Sequence, residues 1–332
     1  MRQPAEGRSR SQKPQPRHTG RVPDLRLLVD DVAFAVRAVL VCQRDGKLLV
    51  ESGDYPFQNL PGGALLTGEA LADGAAREWH EETGLKAQVV RLLGLVENFF
   101  KLNGRCWHEL GFYFGVDAQD ALPDEPFVVA DNTANVLKWV DPLAVMDRPT
   151  YPTAALKLLD VPEGKFRHII NREAERPPAQ DLRLDVHGTA FQLRVHLIYV
   201  QDGQLLTNTV PGSGFGFLPG GSVLLNEDSL TAARREFHEE TGLHAQSARL
   251  VGIAEGFDCR TNRQQLGLCY RVETEERLPT RAFPVRDHDE LQMQWVPLAE
   301  VESKPVHPRG LSKMLDVPEG GVEHSVTVWD TV

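Results

Sequence analysis

Two short stretches carry carboxylates at a spacing that could do chemistry. Gly63 to Leu85 reads GALLTGEALADGAAREWHEETGL, and Gly221 to Leu243 reads GSVLLNEDSLTAARREFHEETGL. Each has a glycine, a glutamate six residues on, an Arg-Glu pair, an apolar residue and Glu-Glu-Thr-Gly-Leu, every fixed position being met without an insertion or deletion. No proline and a single glycine stand between Glu69 and Glu82, so the segment predicts a helix, and Gly84 suits a left-handed stop. On such a helix Glu78, Glu81 and Glu82 share one face, as do Glu236, Glu239 and Glu240. Like charges so placed repel by roughly a few tenths of a kcal/mol per pair. They make sense around a hard divalent cation, which takes oxygen ligands from carboxylates, waters and substrate phosphates. The loops before them, Leu60-Pro61-Gly62-Gly63 and Leu218-Pro219-Gly220-Gly221, let the backbone approach closely and aim a carbonyl at the same ion. An acidic helix face alone is commonly just a solvated surface. A nine-position pattern with a chance frequency on the order of 10⁻⁹ per start, met twice, argues against that reading.

Both segments resemble the signature box of the Nudix hydrolases, G-x5-E-x7-R-E-U-x-E-E-x-G-U with U apolar, although Trp79 and Phe237 put an aromatic where aliphatics are usual. The resemblance implies an α/β fold of two tandem α/β/α sandwich domains with mixed sheets. It also implies metal-dependent hydrolysis of a diphosphate linkage in a nucleoside diphosphate derivative or triphosphate, with Mg²⁺ or Mn²⁺. By the same resemblance Gly63, Glu78, Glu81 and Glu82 are expected as metal ligands, with Gly221, Glu236, Glu239 and Glu240 as their counterparts. Arg77 and Arg235 are expected to orient the carboxylates, and Glu69 and Glu227 to be outer members of the network, toward the substrate. The general base differs between branches of the family. Glu81 and Glu239 are the first choice, and Glu109 is a second candidate in the first half only. A proline about fifteen residues past the box, or a tyrosine at similar distance, marks some specificities. Here the first prolines are Pro123 and Pro279, and the tyrosine positions hold Phe99, Phe100 and Phe257. Phe99 and Phe100 could stack on a base, though core packing is the commoner fate of such a pair. His80 and His238 read as solvated helix residues, since imidazole is not the preferred partner of Mg²⁺.

The elements that must position these boxes also come in pairs. AFAVRAVLVCQRDGKLLVES and TAFQLRVHLIYVQDGQLLTN each give two apolar runs around Asp-Gly, a hairpin signal at Asp45-Gly46 and Asp202-Gly203. Strands follow over Val89–Phe100 and Ala248–Phe257, with Glu97 and Glu255 embedded in them. Leu110, Phe112 and Phe114 then match Leu266, Leu268 and Tyr270 on one strand face. Short terminal helices are expected at Thr153–Leu159 and Gly310–Leu315. The halves are thus a tandem duplication, with a disordered basic tail over 1–21, a first domain over 22–170, a polar linker over 171–185 and a second domain over 186–332. Duplicated domains often pack as dimer subunits do, an intramolecular pseudo-dimer.

The chain has 332 residues, 41% apolar content and a net charge of −11. That suits two domains of ordinary size and argues against duplex nucleic acid or an anionic membrane as partner, leaving a small nucleotide-type molecule. Cys42, Cys106, Cys259 and Cys269 form no ligand spacing and read as thiols of a reducing, cytoplasmic compartment. Two rivals to a two-site enzyme stay open: a module that binds a nucleotide metabolite without cleaving it, and a mixed protein with one catalytic and one regulatory half. The strand that carries His108-Glu109 in the first half carries Gln264-Gln265 in the second, so the halves are expected to differ in activity.

Overall fold

A computed structural model describes residues 22–87, 90–117, 122–142 and 148–329. The basic tail over 1–21, and Val89 of the expected strand, lie outside these residues. Each half is built on one long mixed sheet. In the first half, β1 (Val32–Val41) pairs in parallel with β3 (Arg105–Val116), which pairs antiparallel with β2 (Val90–Leu102). A last strand, β4 (Arg167–Arg172), runs parallel to β2. The second half repeats the order with β5 (Thr189–Ile198), β6 (Ser247–Asp258), β7 (Arg263–Glu273) and β8 (Glu323–Trp329). Each half adds a smaller sheet, around Lys47–Ser52 with Val136–Val140 and around Gln204–Thr209 with Gln292–Pro297. The mixed α/β architecture implied by the resemblance is therefore present twice.

The local chemistry explains these elements. β1 and β5 are near-continuous apolar runs buried on both faces, as central strands in layered α/β units are. At the hairpins Asp45 and Gly46 take φ of 52° and 74°, and Asp202 and Gly203 take 51° and 72°, the primed turn that matches the twist of the flanking strands. The box helices are α1 (Leu71–Thr83) and α2 (Ser229–Thr241), ended by Gly84 and Gly242 in the left-handed region at φ of 75° and 80°. The short terminal helix of the second half is Leu311–Leu315, whereas Thr153–Leu158 is a 3₁₀ helix, whose tighter turns are usual in so short a piece. Asn171 and Arg172 belong to β4, and Arg183–Val186 forms a strand beside β5, so the non-strand connection between the halves runs over 173–182.

The halves share one hydrophobic core, which runs from Phe34, Leu110 and Trp79 to Phe191, Leu266 and Phe237. Phe34 meets Phe191, its own counterpart in the repeat, at 6.1 Å between ring centroids. Other contacts come in reciprocal pairs. Gly68 N donates to Gln264 Oε1 at 2.9 Å, and Asn226 N, the counterpart of Gly68, donates to His108 Nδ1 at 3.2 Å. Self-matching contacts with mutual exchange are what a two-fold interface produces, here inside one chain.

The same interface starts both box helices. The α1 N-cap, Ala70, has no side chain able to cap, and Leu71 N instead donates to Glu255 of the other half, at 3.0 Å to Oε2. Reciprocally, Ser229 N donates to Glu97 Oε2 at 2.8 Å and Ser229 Oγ to Glu97 Oε1 at 2.5 Å. The embedded strand glutamates are buried and further bonded by His168 and His324, at 2.6 and 2.7 Å. A carboxylate at a helix N-terminus satisfies an orphan amide and opposes the positive end of the helix dipole.

Candidate active site

The arginine of each box gathers its carboxylates. Arg77 holds Glu69 bidentately, with Nε and Nη2 at 2.7 and 2.8 Å, while Nη1 reaches Glu78 at 2.7 Å and Glu81 at 2.9 Å. Its Nη2 also donates to the Ala64 carbonyl. Arg235 repeats the set on Glu227, Glu236, Glu239 and the Ser222 carbonyl. Glu69 and Glu227 also accept the amides of Leu66 and Leu224. Both oxygens of each are taken by guanidinium and backbone, so these two glutamates hold the arginine as outer members of the network.

The loop glycines bring the backbone to the cluster. Gly62 and Gly220 have φ of 130° and 123°, and a Cβ at either would stand 2.3 Å from a β1 or β5 carbonyl oxygen. Their amides donate to Glu82 Oε1 at 2.9 Å and Glu240 Oε2 at 3.1 Å. Gly63 and Gly221 lie against Glu78 and Glu236 so closely that a Cβ would meet carboxylate oxygens at 2.5 and 2.4 Å. Backbone and box helix therefore converge in each half as the spacing predicts.

Burial sets the electrostatics. It pushes the Glu82 carboxyl up to about 8 against the Gly62 hydrogen bond, with Glu51 and Glu78 adding repulsion. Glu240 is also pushed up to about 8, by burial and by Glu236 and Asp287. Glu78 and Glu236 are raised by burial and held back by Arg77 and Arg235. Glu81 and Glu239 sit at the mouth of each cluster with side chains 43% exposed.

Sequence reasoning passed over two pairs of residues. Arg37 on β1 and Arg194 on β5 are each the only charge in an apolar run, which is a readable signal, and they donate to the Gly62 and Gly220 carbonyls at 2.9 and 2.6 Å. Arg37 also pairs with Glu109 at 3.5 Å, which places Glu109 on the cluster side of the sheet but facing a cation. Arg194 has Gln265 at that position, and its burial, less compensated by charge, lowers its pKa where that of Arg37 is raised. The second pair is Glu51, beside Glu82, and Asn208, which donates to Glu240 Oε1 at 3.1 Å. No pattern in the chain singles these out.

The clusters consequently differ. Both Glu240 oxygens are satisfied, whereas Glu82 Oε2 is buried without a hydrogen-bond partner. Among the described residues, no three His, Cys, Asp or Glu side chains are gathered tightly enough to enclose a cation; Glu78 and Glu81 share the Arg77 guanidinium, and Glu236 and Glu239 that of Arg235. The donor set is nonetheless all oxygen, and an orphaned buried carboxylate oxygen is costly unless something binds it. By its oxygen chemistry the donor set of each half fits a hard divalent cation, and the orphaned Glu82 oxygen adds to the fit in the first half.

This doubled arrangement of loop, box helix and mixed sheet matches a known family. The NUDIX domain model matches residues 33–160 and 191–317, and the chain belongs to that family, with two domains in tandem. Diphosphoinositol polyphosphate phosphohydrolase 2 of Rattus norvegicus is 43% identical over 74 residues, 21% of this chain and 41% of that protein. A MutT-like protein of Streptomyces ambofaciens is 27% identical over 143 residues, 42% of this chain and 82% of that protein. The chain thus spans less than half the length of the first of these. Among solved structures, a MutT protein from Bacillus halodurans aligns over 41% of this chain and 89% of its own, at 20% identity and a TM-score of 0.35.

Proposed function

We propose that the protein is a divalent-cation-dependent pyrophosphohydrolase that cleaves a diphosphate linkage in a nucleoside diphosphate derivative or nucleoside triphosphate. The observation that carries this reading is the pair of complete carboxylate clusters, each organised by its own arginine on a box helix, in a chain of the NUDIX domain family. Named relatives include a diphosphoinositol polyphosphate phosphohydrolase and a MutT-like protein, in keeping with phosphate-bearing small molecules as substrates.

Glu78, Glu82 and the Gly63 carbonyl would hold Mg²⁺ or Mn²⁺ in the first half, with Glu81 completing the set, and Glu236, Glu240, Gly221 and Glu239 would do so in the second. A bound cation of this kind neutralises charge that develops on phosphate oxygens and helps orient the attacking water. Arg77 keeps Glu78 and Glu81 within reach of one point while compensating their repulsion. Glu81, half-exposed at the mouth, takes the proton from water as it attacks phosphorus. Glu109, tied to Arg37, shapes the field there. The test is release of phosphate or nucleoside monophosphate from nucleoside triphosphates, nucleotide sugars, ADP-ribose and dinucleotides. Activity with Mg²⁺, its loss in excess chelator and its return with Mg²⁺ or Mn²⁺ support the proposal. Full turnover in excess chelator contradicts it.

A second reading, in which one half catalyses and the other binds or regulates, draws on the neutral Asn208 and Gln265 where the first half has Glu51 and Glu109, and on the fully satisfied Glu240.

A further inference from the structure

A cavity of about 610 Å³ opens on the second half between Arg183, Arg260, Arg263, Gln265, His307 and Trp329. Two of its wall residues bond to the box loop. Arg183 Nε donates to Ser222 Oγ at 2.7 Å, Gln192 Nε2 donates to the same oxygen at 3.1 Å, and Ser222 follows Gly221. Gln265 joins this wall through Gln192 at 3.3 Å. The Trp329 ring lies directly against Gly256, where a Cβ would stand 3.0 Å from it.

The first half closes the same place with its own side chains. The cross-strand pair Asp258–Arg263 of β6 and β7 corresponds in register to Phe100–Trp107 of β2 and β3. Phe100 stacks on Trp107 at 5.6 Å with rings 13° apart, and Tyr151, the counterpart of His307, packs its ring 5.5 Å from Phe100. Tyr151 in turn donates to Glu173, the counterpart of Trp329, at 2.9 Å. Asn98 is the counterpart of Gly256 and accepts from Asn171 at 2.7 Å. Polar residues in place of Phe100, Trp107 and Tyr151, Gly256 in place of Asn98 and Trp329 in place of Glu173 thus separate a filled site from an open cavity lined by Arg183, Arg260 and Arg263 beside Asp185 and Asp258.

Resting on the hydrolase reading of both boxes, we infer that the halves divide recognition. The second half binds the phosphorylated ring, sugar or nucleoside, attached to the diphosphate, and the first half reads the phosphate chain alone. Arg183 and Arg263 suit phosphate oxygens, and the Trp329 face suits a ring, because guanidinium forks match phosphate geometry and aromatic faces stack on bases. In the first half the Phe100, Trp107 and Tyr151 rings occupy that volume, so a group carried by the diphosphate stays outside.

Glu82→Gln isolates the second half and Glu240→Gln the first. Each variant is assayed with Mg²⁺ on inorganic tripolyphosphate, ATP and diadenosine tetraphosphate. The second half should favour the ring-bearing substrates in kcat/KM by about tenfold or more, while the first half discriminates little among the three. Replacing the pair by that of the first half, Asp258→Phe with Arg263→Trp in the Glu82→Gln background, should erase the preference through KM. Equal preferences in the two halves, or a preference untouched by that exchange, overturn the inference. A second measurement does not depend on hydrolysis: AMP is titrated into the metal-free protein while tryptophan fluorescence is followed. Quenching that disappears in Trp329→Phe and weakens about tenfold in Arg263→Ala supports the cavity even if no substrate is cleaved, in which case only the hydrolase reading fails. No AMP response in the wild-type chain overturns the inference.

Discussion

Glu97 offers the sharpest test of how the two halves depend on each other. Its carboxylate, fully buried, accepts from Ser229 N, Ser229 Oγ and His168 Nε2. In Glu97→Gln one amide oxygen can still cap Ser229 N, but the NH₂ group meets Ser229 Oγ or His168, where an acceptor is needed. A charge-assisted hydrogen bond is worth roughly 1.5–3 kcal/mol, so losing the one to Ser229 Oγ or to His168 should cost about that much. Urea unfolding measures the loss, with one cooperative transition expected because a single core spans both halves. The catalytic consequence should appear across the interface. Glu97 belongs to the first half yet starts α2, so in the Glu82→Gln background it should depress the remaining turnover of the second half and weaken its Mg²⁺ activation. Glu255→Gln should do the same to the first half. A stability change below about 0.5 kcal/mol, or a loss confined to the half that carries the substituted residue, would refute the reasoning.

Four further outcomes follow from the site. Glu82→Gln should remove most hydrolysis, by about a hundredfold on substrates of the first half, and Glu240→Gln much less, while Glu109→Gln moves the first half toward the rate of the second; steady-state kinetics of the three single variants decides it. Glu82→Gln should cost little stability in metal-free urea unfolding at neutral pH, because burial keeps the Glu82 carboxyl mostly protonated there and a neutral amide of similar size replaces it. Glu82 and Glu240 stand near 8 in the folded chain against an ordinary 4.5, so between those values the folded state holds more protons than the unfolded one. Metal-free stability should therefore be full below about pH 4.5, fall as pH rises through 8 and level off above it, whereas apparent Mg²⁺ affinity should rise over the same window; unfolding and Mg²⁺ titrations at several pH values check both signs. Gly62→Ala should cost about 2 kcal/mol or more in urea unfolding, since φ is 130° and a Cβ would overlap the Ala38 carbonyl.

The box helices, their glycine stops, the Asp-Gly hairpins and the alternating strand with Leu110 inward and Glu109 outward were legible because each is a local pattern whose period or turn chemistry is set by neighbours in sequence. What was not legible depends on docking. Glu97 and Glu255 read as acids stranded in apolar strands, and only the packing of the halves turns them into caps for the other half's helix. Glu69 and Glu227, outer members of the network by resemblance, each take a guanidinium bidentately, a pairing that the fold of the loop onto the helix sets. Arg37 and Arg194 were visible as lone charges in apolar runs, but their link to the glycine loops needed the sheet register. The open cavity arises from cross-strand pairs, Asp258–Arg263 against Phe100–Trp107, that no single strand reveals.

The central claim is that the two box helices carry the chemistry. Its most direct measurement is phosphate and nucleoside monophosphate release by the Glu82→Gln/Glu240→Gln double variant in saturating Mg²⁺, on the best wild-type substrate and with folding verified by urea unfolding. The account predicts release at the level of the uncatalysed background. A folded double variant that keeps most of the wild-type turnover would contradict it.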